Sequence, residues 1–328
     1  MGRAFQPAAC FQQALSLIGN KSRPEGGCRL IARPTLVKEG TNRSMRTLHI
    51  DTGRTMQGGQ WQVLYLVERL EGARLLAPAG SPLLREARKR GLDARPLGRF
   101  LGELTGVDLI HAHDSRAHTY GAIANLGRSA RPLVVSRRVA FPIKQSMVSG
   151  WKYLQATIYL AVSRYAAGKL RDAGVGKGVI RVVYDGIPIP ASPAKPEAGR
   201  VVALPAKTQE IPGVRVHLAE NLFDDLQTAS VFLYVSKMEG LGSAAIAAME
   251  SGVPVVASGA GGLTEVVEHE RTGLIVRDGD YATAVRRLLD DPRWAAEMGA
   301  AGREKAMREF PVEKMVESTL SAYNEILR

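Results

Sequence analysis

Features that crosslink a protein or anchor it across a membrane are scarce in this sequence. Only two cysteines occur among 328 residues, Cys10 and Cys28. They are too few to staple a core and have no metal-ligand spacing, which predicts a reducing, cytoplasmic compartment. No apolar run approaches the roughly 18 residues that a membrane-spanning helix needs. These absences exclude a disulfide scaffold and an apolar helix that spans a bilayer.

Aromatic residues are also few, at 6 %, and they are not interleaved with the basic residues. Nucleic acid is therefore not expected as a partner. The net charge of +12 is uneven, because residues 1–190 carry 29 Lys and Arg against 12 Asp and Glu, whereas residues 191–328 carry 15 against 20. The basic half suits an anionic membrane surface or a phosphorylated substrate. A merely solvated basic surface is the alternative.

The chain divides into segments of different character. Residues 1–44 lack regular patterning, and we interpret them as a disordered extension or a start-site artefact ahead of Met45. Short apolar strands and amphipathic helices then alternate twice, on either side of the Pro-rich stretch 186–193. This predicts an α/β protein with two Rossmann-like lobes, residues 45–188 and 189–310, which face each other across a cleft.

The strongest motif runs from Ser236 to Ser243, with the sequence SKMEGLGS, between a predicted strand and a predicted helix. Gly240 and Gly242 let the backbone approach a ligand, and a helix N-terminus attracts anions, most often phosphate. Because Glu239 would repel a phosphate, we expect it to bind sugar hydroxyls. A turn that needs glycine for geometry alone is the alternative. A second turn, with Gly261 and Gly262, follows the next strand and favours the phosphate interpretation.

The N-terminal half has a similar strand-to-helix turn that ends in Gly58 and Gly59. The expected neighbouring strand ends in His111-Ala112-His113, and alternation places both histidines on one face. A metal would need a third ligand, and none with suitable spacing is evident, so no metal is expected. A sugar contact by His113 and a structural role remain as the two alternatives.

Together these motifs resemble glycosyltransferase family 4, a family with the two-lobed GT-B fold, over residues 45–328. The resemblance rests on Gly58-Gly59, the strand 108–113, the segments 161–163 and 184–187, and above all on residues 239–242, 252–258 and 261–265. It implies retaining, metal-independent and cofactor-free transfer from a nucleotide-diphosphate sugar to a glycan or lipid-linked acceptor. It also implies that a final helix, residues 311–328, crosses back to the first lobe.

The resemblance also assigns roles to individual residues. His113 and Glu239 would be catalytic and lie at the donor sugar. The donor and its phosphates would be bound by Lys207, Gly240, Leu241, Gly242, Ser243, Gly261, Gly262 and Glu265. Gly58, Gly59, Arg137 and Arg138 would border the cleft on the acceptor side. An acceptor at the inner face of the cell membrane would make the protein peripheral to that membrane.

Two departures from the family pattern leave other functions open. The family's second glutamate, eight residues after the first, is replaced by Ala247, and only about 35 residues separate Val201 from Ser236. The second lobe is therefore expected to be compact and to lack at least one βα unit, with Lys207 as the only cation left near the diphosphate. A non-catalytic partner of another transferase is the main alternative, and a sugar-nucleotide epimerase is a further one.

Overall fold

The computed structural model describes residues 45–126, 130–143, 147–205 and 207–328, and the side chains of Arg99 and Val148 are not described. The interpretation of residues 1–44 lies outside the described residues. The chain forms two compact units, and we call residues 45–186 with 312–328 the N-terminal unit and residues 187–311 the C-terminal unit. The boundary falls after Gly186, two residues before the one expected from the sequence.

The N-terminal unit is built on a seven-stranded sheet in the order β3-β2-β1-β4-β5-β6-β7, with all strands parallel. Its strands are β1 (Thr47–Ile50), β2 (Ala73–Ala77), β3 (Ala94–Pro96), β4 (Leu109–Ala112), β5 (Leu133–Arg137), β6 (Ile158–Ala161) and β7 (Ile180–Val182). Successive strands of the chain are added on one side of β1 up to β3 and on its other side from β4 onwards, so the strand order reverses between β1 and β4. Ligands of open α/β sheets bind at the carboxyl ends of the strands at such a switch point.

Helices follow most of these strands and cover the sheet. They are α1 (Gly58–Val67), α2 (Pro82–Lys89), a 3₁₀ helix (Leu97–Leu104), α3 (Ser115–Ala124), α4 (Met147–Leu154) and α5 (Arg164–Asp172). Ser81, Asp114 and Ser163 cap the helices that follow them by accepting backbone N–H bonds, which satisfies groups that a helix start leaves unpaired.

The last helix of the chain, α11 (Val312–Ile326), belongs to the N-terminal unit. Its buried face, with Val316 and Tyr323, joins one apolar cluster with Tyr65 of α1, Leu109 of β4 and Val134 of β5. The helix has the one-sided pattern expected of an amphipathic element that completes a core. A segment more than 120 residues away in sequence therefore supplies part of this unit's interior.

The C-terminal unit has a five-stranded parallel sheet in the order β12-β11-β10-β8-β9. Its strands are β8 (Val201–Ala203), β9 (Val216–Leu218), β10 (Val231–Tyr234), β11 (Val255–Ser258) and β12 (Gly273–Val276), and its helices are α6 (Leu222–Leu226), α7 (Ser243–Glu250), α8 (Leu263–Val266), α9 (Tyr281–Asp290) and α10 (Pro292–Glu309). No helix lies between β8 and β9 in the described residues of 204–215. The unit is compact, as expected from the sequence.

None of the helices in the described part of the chain combines the length and the hydrophobicity needed to cross a bilayer.

Candidate functional site

The C-terminal unit gathers its polar residues at the point where its sheet changes direction, between β8 and β10. Lys207 follows β8, and Glu239 follows β10. The Lys207 ammonium donates to Ser236 Oγ at 2.7 Å and to Glu239 Oε2 at 3.2 Å, although only 7 % of Lys207 is exposed. The two residues that sequence reasoning assigned to different parts of the donor are thus already an ion pair.

Tyr234, the last residue of β10, is a third member of this group that sequence reasoning missed. Its hydroxyl donates to Glu239 Oε2 at 2.8 Å. Burial, and secondarily the Glu239 carboxylate, raises the pKa of Tyr234 well above its usual value, so that it stays protonated and donates. From the sequence, Tyr234 is indistinguishable from the apolar residues of a buried strand.

These contacts leave specific polar atoms available to a ligand. Both hydrogen bonds to the Glu239 carboxylate end on Oε2, and no donor to Oε1 is present among the described residues. An ammonium has three N–H donors, of which Ser236 and Glu239 take two. The arrangement can therefore offer one acceptor oxygen and one cationic donor side by side.

The loop after Glu239 enters α7 through Gly242, whose φ of +107° is a conformation that favours glycine. Leu241 within this loop is buried, and Ser243 begins the helix. Gly240 is buried as well. The strand, the glycine turn and the helix N-terminus have the arrangement that binds anions in other proteins.

The second glycine turn packs directly against the first loop. A Cβ on Gly261 would lie 2.0 Å from the backbone oxygen of Glu239, and one on Gly262 would lie 2.2 Å from that of Gly240. Gly262 N also donates to Glu239 O at 3.0 Å. This contact alone requires glycine at both positions, while the expected phosphate contacts of Gly261, Gly262 and Glu265 stay predictions.

The N-terminal unit brings three histidines together at its own switch point. His49 on β1 lies in register with His111 on β4, and His113 follows β4. All three are buried, and each offers a nitrogen within 4.8 Å of the others. Sequence reasoning found His111 and His113 but missed His49, which is the third histidine that a metal site would need. The signal was a histidine on the strand expected next to β4.

Burial keeps these histidines neutral. It lowers the pKa of His49 to about 3. Burial also lowers the pKa of His113 well below its usual value, and electrostatic interaction with His111, with the Arg138 charge and with His49 lowers it further. His113 is 5 % exposed. Its Nε2 lies 3.0 Å from His49 Nδ1, and its Nδ1 lies 3.3 Å from an Arg138 nitrogen.

The two arginines expected on the acceptor side take different directions. Arg138 donates from Nε to Asp185 Oδ1 at 3.0 Å and reaches His113, whereas Arg137 donates to the backbone oxygen of Phe141. Gly59 lies in the first turn of α1, where a Cβ would meet Arg138 at an ordinary contact distance of 4.0 Å. The structure thus brings His113, Arg138 and Gly59 together but not Arg137.

Asp51 and Asp114 lie beside this group, after β1 and β4. Asp51 accepts from Gly53 N at 2.8 Å and from the Gln60 amide, while Asp114 accepts from Thr52 N and caps α3. Burial, with the Asp114 charge second, raises the pKa of Asp51 to about 6. Sequence reasoning did not select either carboxylate.

Comparison with known proteins accounts for both units. The model of Glycosyltransferase Family 4 matches residues 58–189, and that of Glycosyl transferases group 1 matches residues 213–305. Each of the two units thus contains a stretch that matches a glycosyltransferase model. Crystal structures of Anabaena Alr3699/HepE, determined with UDP and with UDP-glucose, share the GT-B fold with this chain. The UDP complex has a TM-score of 0.74 at 18 % identity and covers 86 % of this chain and 100 % of that one.

Curated relatives match shorter stretches of the chain. Alpha-maltose-1-phosphate synthase of Mycolicibacterium smegmatis is 39 % identical over 110 residues, 31 % of this chain and 28 % of that protein. A GDP-mannose-dependent alpha-(1-6)-phosphatidylinositol monomannoside mannosyltransferase of Mycobacterium tuberculosis is 50 % identical over 70 residues, 20 % of this chain and 18 % of that protein. The chain therefore covers less than a third of the length of either relative.

One position of the family pattern described in the sequence analysis is altered in this chain. Ala247 lies where the family pattern has its second glutamate, in the middle of α7, and is buried. Glu250, one turn later, is fully buried, and its backbone oxygen accepts from Arg303. Glu250 therefore does not present a carboxylate at the surface in place of the missing one.

Proposed function

We propose that this protein is a retaining, metal-independent glycosyltransferase that uses a nucleotide-diphosphate sugar and no further cofactor. The observation that carries the proposal is the Lys207–Glu239 pair at the sheet's switch point, followed at once by the glycine turn into α7. A cation and free helix N–H groups suit a diphosphate, and a carboxylate oxygen suits sugar hydroxyls. The nucleotide complexes of Alr3699/HepE support this donor class.

In this reaction the site must stabilise the departing nucleoside diphosphate. The bond between the anomeric carbon and the diphosphate oxygen breaks, the acceptor oxygen bonds to that carbon, and the acceptor proton passes to the departing diphosphate. Negative charge grows on the diphosphate, so Lys207 and the N–H groups at the start of α7 would lower the barrier by meeting that charge in a fixed arrangement. Tyr234 would hold Glu239 in place for the sugar.

Nucleotide binding measured by calorimetry tests the donor site. UDP, GDP and ADP are titrated into the wild type, Lys207→Ala, Tyr234→Phe and the control Lys237→Ala, which removes an exposed lysine from the same loop. We expect one nucleotide to bind. Loss of a charge-assisted hydrogen bond of about 1.5–3 kcal/mol predicts roughly 10- to 100-fold weaker binding in Lys207→Ala.

The same measurement separates the proposal from its rival. Lys237→Ala should bind as the wild type does, and Tyr234→Phe should bind the nucleotide but weaken its sugar conjugate. If none of the nucleotides binds at millimolar concentration, the buried Ala247 and the short lobe mark a non-catalytic relative instead. With a donor in hand, an NMR assignment of the product's anomeric configuration and activity in a chelator test retention and metal independence.

We further propose a glycan or lipid-linked acceptor at an anionic membrane surface on the cytoplasmic side. Residues 115–171 of the N-terminal unit contain ten Lys and Arg and no Asp or Glu. Within this stretch α4 exposes Met147 by 92 % and Leu154 by 83 %, and Trp151 lies between them on the same helical face. Exposed apolar side chains in a positively charged region suit an anionic bilayer.

A further inference from the structure

In the histidine cluster of the N-terminal unit, the contacts indicate which ring nitrogens donate hydrogen bonds and which accept them. Six ring nitrogens belong to His49, His111 and His113, and each lies within hydrogen-bond distance of a polar partner. A neutral imidazole has one nitrogen that donates and one that accepts. Fixing the role of one nitrogen in the chain therefore fixes the others connected to it.

Arg138 is the partner that fixes the order, because a guanidinium donates and never accepts. Its Nη1 lies 3.3 Å from His113 Nδ1, so that nitrogen must accept. The proton of neutral His113 is then on Nε2 and is donated to His49 Nδ1, 3.0 Å away. His49 must in turn carry its proton on Nε2 and donate to Thr47 Oγ1 at 2.9 Å.

The other partners of the histidines are hydroxyl groups, which are compatible with either tautomer. Thr47 ends the chain with a hydroxyl, which can donate or accept. His111 contacts the hydroxyls of Tyr323 and Ser136 at 2.5 and 2.8 Å, so neither of its tautomers is excluded. Only Arg138 imposes a direction, and Asp185 holds it there through an ion pair of 3.0 Å.

We propose that Arg138 is a positioning residue that fixes His113 and His49 as Nε2–H tautomers, and that this ordered chain, not a metal ion, is the state of the cluster. The order uses both ring nitrogens of His113, so His113 would act by holding its neighbours in place rather than as a proton carrier at the sugar. Inner-sphere binding of a cation at these nitrogens would have to displace hydrogen bonds beside a guanidinium charge. The role in transfer rests on the proposed function, but the tautomers do not.

The test is ¹⁵N NMR of the histidine rings in the full chain, with assignment by His→Gln variants. Two-bond ¹H–¹⁵N correlations distinguish the Nε2–H from the Nδ1–H tautomer without any assay of activity. The variants are Arg138→Lys, which keeps a donor, and Arg138→Met, which removes it. Arg137→Lys is the control, because Arg137 donates to Phe141 rather than to a histidine.

We expect Nε2–H for His49 and His113 in the wild type, in Arg138→Lys and in the control, and a tautomer mixture in Arg138→Met. An Nδ1–H signal for His113 in the wild type would overturn the proposal even if Arg138→Met failed to fold. So would a shift of the His49 and His113 signals on addition of one equivalent of Zn²⁺, which would identify a metal site. Failure of nucleotide binding would leave the tautomer result standing and refute only the transferase role.

Discussion

Gly262 offers a sharp test of how the two glycine turns of the C-terminal unit fit together. Its φ of −70° suits any residue, so Gly262→Ala introduces no backbone strain. The new Cβ would nevertheless lie 2.2 Å from Gly240 O and 2.7 Å from Leu241 Cα. The loop that follows Glu239 must therefore move, and the bond from Gly262 N to Glu239 O is weakened.

The expected loss combines two costs. Overpacking against a fixed neighbour costs about 1–3 kcal/mol, and the hydrogen bond about 1 kcal/mol more, so unfolding should become easier by roughly 3 kcal/mol. Gly279→Ala is the matched opposite case. Its φ is +89° with nothing within 4 Å of the new Cβ, so it suffers only backbone strain of about 1–2 kcal/mol.

Urea unfolding followed by tryptophan fluorescence measures both variants. Trp294 is the tryptophan of the C-terminal unit, so replacing Trp61 and Trp151 by Phe makes the signal specific to that unit. An unchanged m-value would show that the midpoints report stability. We also expect Gly262→Ala, but not Gly279→Ala, to weaken nucleotide binding. Equal losses of stability together with equal nucleotide affinities would refute the packing argument.

Two further predictions concern the N-terminal unit. Burial raises the pKa of Asp51 to about 6, so its contribution to stability is greatest below pH 4 and is lost as the pH rises through 6. The free energy of unfolding of Asp51→Asn should therefore rise by about 3 kcal/mol relative to that of the wild type between pH 4 and 7.5. A difference in thermal unfolding that does not change with pH would contradict this. The wild type should co-sediment with anionic vesicles at low salt, and the double variant Met147→Ser/Leu154→Ser should co-sediment less. Neutral vesicles should bind neither protein. Equal binding of both proteins to anionic vesicles would exclude the exposed face of α4 as the membrane contact.

The sequence predicts the parts of the fold that have strong local signals. Short apolar strands and glycine turns identified both sheets, and the strand Leu109–Ala112 lies within the stretch 108–113 where one was expected. Helix α4 was missed because three of its apolar residues are exposed, so no core-facing pattern marks it. The short edge strand β7 was missed too, since its residues are only partly buried or exposed.

For the candidate site, sequence-based prediction is limited by contacts that form only in the folded chain. His49 and Tyr234 are chemically informative only once strand register and the Glu239 loop bring partners to them. For Gly261 and Gly262, glycine indicates close approach of a backbone, but the pattern does not say whether the approaching group is a ligand or another loop. Here at least one such group is the Glu239–Gly240 backbone.

The membership of α11 in the N-terminal unit has a consequence for biosynthesis. Residues 187–311 are continuous, so the C-terminal unit can fold as soon as they leave the ribosome. The N-terminal unit cannot, because Val316 and Tyr323 of its core are made only after the whole of the C-terminal unit. The apolar surface around Tyr65 and Leu109 therefore lacks the side chains of α11 that cover it while the whole C-terminal unit is being synthesised. Until α11 is made, we expect this exposed apolar surface to favour aggregation of the nascent chain.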